Sequence, residues 1–212
     1  MFDLNDLPRA NHTYSERDWC STTYEEARAA DGTLCYCASK ALAEKAAWEY
    51  VQAAHPSFSI STIMPPWMYG VSAIPFESAT KIPASVADVY RLMSGAEKEV
   101  PDDIFYNFVN VRDVAEAHIR AYQADKSDRY FTTGGPCTYQ QIVDIIREVL
   151  PEVRDRTPEG VPGAAPKKVI LLDNSRASEE LGINFTPLRE TITEMARDLF
   201  EQEKTWAANG RG

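Results

Sequence analysis

The sequence predicts an α/β fold, on three observations. Segments with helical period alternate with short runs of β-branched and aromatic residues along most of the 212 residues. No stretch repeats internally and no low-complexity linker divides the chain, so a single domain over 1–212 is expected. The composition, 44% apolar and 25% charged, is that of a globular chain with enough material for a core.

Residues 1–31 are polar and irregular, with Pro8, Asn11 and Thr13. They read as a loop-rich lead-in with one short helical turn near YEEARAA (24–30). Gly32 and Thr33 precede an unbroken helical pattern to about Ala54. It stops ahead of Pro56, because the residue before a proline is pushed out of the α region. FSISTIM (58–64) reads as a short strand, and Pro65 and Pro66 take the chain out of its ladder for want of an amide hydrogen.

A helix is expected over 85–95, ending at Gly95, then a strand over 105–111 (FYNFVNV). A helix over 111–123 follows, where Asp113 sets a negative charge at the positive end of the dipole. RYFTTGG (129–135) is a strand running into a glycine turn. Thr138 begins an amphipathic helix with Ile142, Ile145, Ile146 and Val149 on one side. A Pro/Gly/charge loop (151–167), a strand (167–173), a short helix closed by Gly182 and a last long helix over 187–203 complete the order.

Charge and cysteine usage exclude several functions. The net charge is -10, from 22 basic and 32 acidic residues, with no basic run, so neither nucleic acid nor an anionic membrane is an expected partner. No stretch approaches the roughly 18 to 20 apolar residues that span a bilayer, and MFDLNDLPRA lacks the pattern of a secretory signal. Cys35 and Cys37 are too close for a zinc knuckle, and Cys20 and Cys137 do not complete a tetrahedral set. No metal site and four reduced thiols are expected, with the cytoplasm as the address. None of the ten glycines forms a G-x-G-x-x-G cradle.

Tyr36 and Lys40 stand four apart, on one face of the helix over 33–54. The pair is either an amphipathic surface pair or an acid with its tuning cation. Carbonyl reduction by hydride leaves an alkoxide that needs a proton. A phenol, with a reference pKa of about 10, gives one more readily beside a cation that stabilises phenolate.

Four stretches, in order, resemble the extended short-chain dehydrogenase/reductases. They are YCASK (36–40) followed by ALAEKAAWEY, IMPPWMYG (63–70), FVNVRDVAEAH (108–118) and DNSRASEELGINFTPLRETI (173–192). The similarity is to the aldehyde, methylglyoxal, dihydroflavonol and cinnamoyl-CoA type carbonyl reductases. The resemblance implies the C-terminal half of a Rossmann-like fold with its small substrate-binding lobe. The glycine-rich nucleotide-binding half, with the phosphate loop and the catalytic serine, would lie upstream of Met1. Residues 32–70 and 105–135 would be the remnant of the Rossmann layer, and 71–104 and 136–212 the lobe.

The implied activity is NAD(P)-dependent reduction of a small aldehyde or ketone, with NADP(H) as cofactor. Tyr36 would be the acid/base, and Lys40 its tuner and a ligand of the nicotinamide ribose. Pro65, Pro66 and Trp67 would lie along the nicotinamide, with Trp67 and Tyr69 forming a substrate wall. Gly70-Val71 departs from the Gly-Pro common in the family, and Ser39 is not the family's serine. Arg112 and Asp113 would be mostly architectural.

Two other readings stand beside the reductase. One is a cofactor-independent isomerase, cyclase or dehydratase that reuses the Tyr36 pocket. The other is a non-catalytic remnant or partner subunit, favoured by the missing cradle. Ala41, Leu42, Ala43, Ala46, Ala47 and Trp48 give the helix over 33–54 apolar surface on more than one side. Burying a Leu or Trp side chain stabilises by roughly 1.5 to 3 kcal/mol, so either self-association through this helix or a rearranged packing is expected, with a homodimer the favoured form.

Overall fold

A computed structural model describes residues 12–30, 32–104, 106–166 and 169–208. Its elements are β1 (Thr13–Tyr14), α1 (Tyr24–Ala29), α2 (Gly32–Ala54), β2 (Ser61–Met64), β3 (Trp67–Tyr69) and α3 (Ala84–Met93). Then come β4 (Asn107–Asn110), α4 (Val111–Ala124), β5 (Asp128–Phe131), β6 (Gly135–Pro136), α5 (Tyr139–Val149), β7 (Leu171–Leu172), α6 (Ser175–Glu180) and α7 (Leu188–Ala208). The alternation of helix and strand is the one the sequence predicts. Of the readings at single positions, Pro8, Asn11, Phe105, Lys167 and Lys168 lie outside the described residues.

Four departures have local causes. Pro65 and Pro66 do end the β2 ladder, yet the chain resumes three residues of strand at once, against a different partner. The strand expected over 167–173 contracts to Leu171–Leu172, which pairs in parallel with Thr13–Tyr14, so the lead-in holds a strand as well as loop. Pro151 opens a 3-10 turn over Pro151–Arg156 in what reads as plain loop. The last helix runs past 203 to Ala208, because Trp206 is buried and keeps the final turn packed.

The chain forms two compact units. The first comprises the described parts of Met1–Met64, Glu116–Thr132 and Ile170–Ile183. Its spine is the parallel pair β2–β5, in register from Ser61 opposite Asp128 to Met64 opposite Phe131. Among the described residues β2 pairs with β5 alone. Arg129, Tyr130 and Phe131 of β5 are buried, whereas all four residues of β2 are half-buried. Helix α1 packs on α2 and is held by a capping box, in which Thr23 and Glu26 satisfy each other's amides.

The second unit comprises the described parts of Pro65–Ala115, Thr133–Val169 and Asn184–Gly212. Here β3 runs parallel to β4, and β6 adds antiparallel on the other side. Helices α3, α5 and α7 close a core of Val89, Leu92, Met93, Ile142, Ile146, Ile192, Met195 and Leu199 around Phe108. The expected stripe on α5 is buried at Ile142, Ile145 and Ile146 and half-buried at Val149, and Thr138 with Gln141 caps it as a second capping box.

All four cysteines are free. Cys20 and Cys137 are buried and Cys37 is half-buried, while Cys35 is exposed. Burial raises the Cys37 thiol, and burial with the nearby charges of Asp103 and Asp88 pushes Cys137 up to about 12. Because the thiolate is the reacting form, Ellman's reagent is expected to label one thiol rapidly in the native protein. Cys35→Ser should abolish that phase, and rapid labelling of Cys137 would contradict the packing.

Candidate active site

Tyr36 sits just after the first turn of α2 and is 58% exposed. Lys40 follows one helical turn later, and its Nζ lies over the Tyr36 ring, 5.5 Å from the centroid. That distance is within the range of a cation–π contact and brings a positive charge to the phenol. Ser39 turns back on its own helix, its hydroxyl donating to the Tyr36 carbonyl at 2.7 Å. It is therefore occupied with backbone.

One helical turn beyond Lys40, Glu44 ties α2 to the rest of the first unit. Glu44 accepts from Arg129 Nε at 2.8 Å and Nη2 at 3.1 Å, and from the Thr62 hydroxyl at 2.6 Å. Arg129 also donates to the Glu16 carbonyl and stacks on Trp19, 3.6 Å from the ring centroid. Glu16 Oε1 in turn accepts from the Phe131 amide at 2.9 Å. Helix, ribbon and lead-in are thus joined through one buried guanidinium. Burial acts to raise the Glu44 carboxyl, but the bonds from Arg129, Thr62 and Trp48 and the Arg129 charge hold it below the usual range.

This cluster escapes sequence reasoning, because Glu44 reads as a solvated helix charge and Arg129 as the polar start of a strand. The one available signal is the arginine itself, heading an otherwise apolar RYF run.

In the second unit Pro65, Pro66 and Trp67 are half-buried, and Trp67 packs against the edge of the core. Tyr69 is 2% exposed, and burial raises its phenol well above the ordinary value. Of the two residues, Trp67 is the one partly exposed. Gly70 takes a φ of +130°, which only glycine adopts readily, and its amide points at Met195 Sδ, 3.2 Å away.

The VRD turn that follows β4 is a set of buried polar contacts. Asn110 donates to the Thr191 hydroxyl at 3.1 Å and accepts from the Arg112 amide at 2.9 Å. Asp113 is buried and accepts from both the amide and hydroxyl of Thr186, at 2.7 and 2.8 Å. Its place in the first turn of α4 is as read from the sequence, and the bonds to Thr186 add a tie to the segment before α7. His12 bonds Asp18 at 2.9 Å. Among the described residues no cluster of His, Cys, Asp or Glu could hold a metal ion.

No family model matches the chain. An uncharacterized oxidoreductase of Schizosaccharomyces pombe is 36% identical over 198 residues, covering 92% of this chain and 58% of the relative. The NADPH-dependent methylglyoxal reductase GRE2 of Saccharomyces cerevisiae is 29% identical over 210 residues, 96% of this chain and 61% of that one. The crystal structure of the yeast methylglyoxal/isovaleraldehyde reductase Gre2 complexed with NADPH superposes with a TM-score of 0.83 at 28% identity. It covers 100% of this chain and 62% of the reductase. The chain belongs to the extended short-chain dehydrogenase/reductases. Its α/β architecture is the Rossmann-like one of that family. The chain spans about three-fifths of the length of the relatives it matches. Within the described residues no helix is long and apolar enough to cross a membrane.

Proposed function

We propose that the protein reduces small aldehydes or ketones with NADPH, and that these 212 residues correspond to the C-terminal part of such a reductase. The observation that carries the reading is the Lys40 ammonium over the exposed Tyr36 ring. Relatives named as NADPH-dependent and methylglyoxal reductases support the cofactor and the substrate class.

The residues present suit one end of the cofactor. Lys40 is exposed and makes no ion pair among the described residues, so its ammonium is available to ribose hydroxyls. In the second unit Pro65, Pro66 and Trp67 are half-buried, and the resemblance to the family assigns these three to the nicotinamide and Trp67 and Tyr69 to the substrate. Nothing in the sequence forms a pyrophosphate cradle. When bound, NADPH supplies the hydride. Tyr36 delivers the proton from its phenolic oxygen to the oxygen of the reduced carbonyl, and Lys40 stabilises the phenolate left behind. Methylglyoxal-dependent oxidation of NADPH by the purified protein is the test, and its absence would remove the reading.

Self-association through α2 is part of the proposal. Packing inside the first unit covers Ala38 and Ala41 and half-buries Leu42 and Trp48. Ala43, Ala46, Ala47 and Tyr50 remain exposed as one strip in the second half of the helix. Light scattering on eluting fractions is expected to give a dimer mass that Ala47→Glu reduces to monomer. A compact monomer for the unmodified protein would end the proposal.

A further inference from the structure

The acid pair of the first unit has an anion within reach that it does not meet. On an α-helix a side chain's neighbours are the residues three and four positions away. For Lys40 these are Tyr36, Cys37, Ala43 and Glu44, and Glu44 alone among them is an acid ionised at neutral pH. Helical side chains lean toward the N-terminus, so Glu44 is set back over the turn that carries Lys40. Opposite charges so placed attract. Yet Lys40 makes no ion pair among the described residues, and its Nζ stands over Tyr36, 5.5 Å from the ring centroid.

The reason is that Glu44 is already occupied. Its Oε1 accepts from Arg129 Nε at 2.8 Å, from the Thr62 hydroxyl at 2.6 Å and from Trp48 Nε1 at 3.4 Å. Its Oε2 accepts from Arg129 Nη2 at 3.1 Å. The guanidinium fork thus engages both oxygens, where an ammonium would bring only a point charge. Arg129 is itself fixed, since Nη1 donates to the Glu16 carbonyl and the guanidinium lies 3.6 Å from the Trp19 ring centroid. All of these residues belong to the first unit.

We propose that Arg129 is a positioning residue for the acid pair: by occupying Glu44 it keeps the Lys40 ammonium uncommitted beside Tyr36. The charge arrangement stands on geometry, and its effect on turnover rests on the reductase reading.

A water-soluble carbodiimide condenses an ammonium with a carboxylate in contact, and mass spectrometry locates the new amide. The unmodified protein should show no bond between Lys40 and Glu44, and Arg129→Met, which frees the carboxylate, should show one. With methylglyoxal, at a temperature where each variant is folded, Arg129→Met should raise the KM for NADPH and lower kcat, each about threefold. An exposed pair at this spacing is worth roughly twofold, and a carboxylate only 12% exposed holds its partner harder. Glu44→Gln also breaks the buried pair but leaves no anion near Lys40, so it should lose stability and keep both constants. Ala43→Glu covers the case in which Arg129→Met does not fold. It sets an unclaimed carboxylate three residues from Lys40 at an exposed position, and should give both the bond from Lys40 to position 43 and the kinetic change. A bond between Lys40 and Glu44 in the unmodified protein would overturn the arrangement. So would its absence from folded Arg129→Met or, should that variant not fold, the absence of a bond in Ala43→Glu. Equal kinetic losses in Arg129→Met and Glu44→Gln would reduce Arg129 to a structural tie. If the unmodified protein does not oxidise NADPH, the reductase reading falls, and condensation alone decides the arrangement.

Discussion

Tyr36→Phe is expected to abolish nearly all turnover while leaving the fold intact. Tyr36 is 58% exposed, so the change at this surface residue should move stability by no more than about 0.5 kcal/mol. If the phenol is the proton donor, kcat should fall by roughly 10²- to 10⁴-fold, the usual share of a positioned acid. The KM for NADPH should stay near its starting value, because the proposed function gives the ribose contact to Lys40. Lys40→Met should behave differently, raising the KM for NADPH and lowering kcat together. Full turnover in Tyr36→Phe, with NADPH consumption as the readout, would hand the proton to another group and favour a different chemistry at this helix.

Arg129→Met should be the most destabilising single change in the first unit. Arg129 is buried, and removing it strands the Glu44 carboxylate, itself 12% exposed, and the Glu16 carbonyl. Breaking one partner of such a buried pair costs about 3 to 5 kcal/mol, measurable as a lower urea midpoint. Pairing the change with Glu44→Leu should recover much of the loss, since no uncompensated charge then remains.

The same pair gives an acid limit. Because the folded protein holds the Glu44 carboxyl below its ordinary value of about 4.3, its contribution is complete above that pH and is lost as pH falls through the lower folded value. Denaturation midpoints taken from neutral pH down to about pH 3 should show this loss in the unmodified protein and a smaller one in Arg129→Met. A variant as stable as the parent at every pH would mean that the network only decorates the ribbon.

Much of the fold is legible because period and punctuation agree. Pro56 and the Pro65-Pro66 pair bound β2, Thr138 caps α5, and Gly182 closes the segment that holds α6. What stays hidden is pairing. Trp67–Tyr69 is too short to announce itself as a strand, and only its alignment with Phe108–Asn110 makes it one. Thr13–Tyr14 depends likewise on Leu171–Leu172, far along the chain. At the site, the spacing of Tyr36 and Lys40 is local and can be read directly. The bonds from Arg129 to Glu44 and from Trp206 to the Phe76 carbonyl join residues 85 and 130 positions apart, and no local pattern records them.

The half-buried β2 has a consequence for handling the protein. The run FSISTIM is seven residues long, uncharged, free of proline and rich in β-formers, the profile of a segment that stacks with copies of itself. Within the described residues only β5 pairs with it, leaving an edge available to a neighbouring chain. Pro56 on one flank and Pro65-Pro66 on the other act as gatekeepers that keep such an edge from lengthening. Replacing the proline pair to straighten the chain would therefore be the wrong way to engineer this protein for concentrated solution, because it would free the ladder to grow.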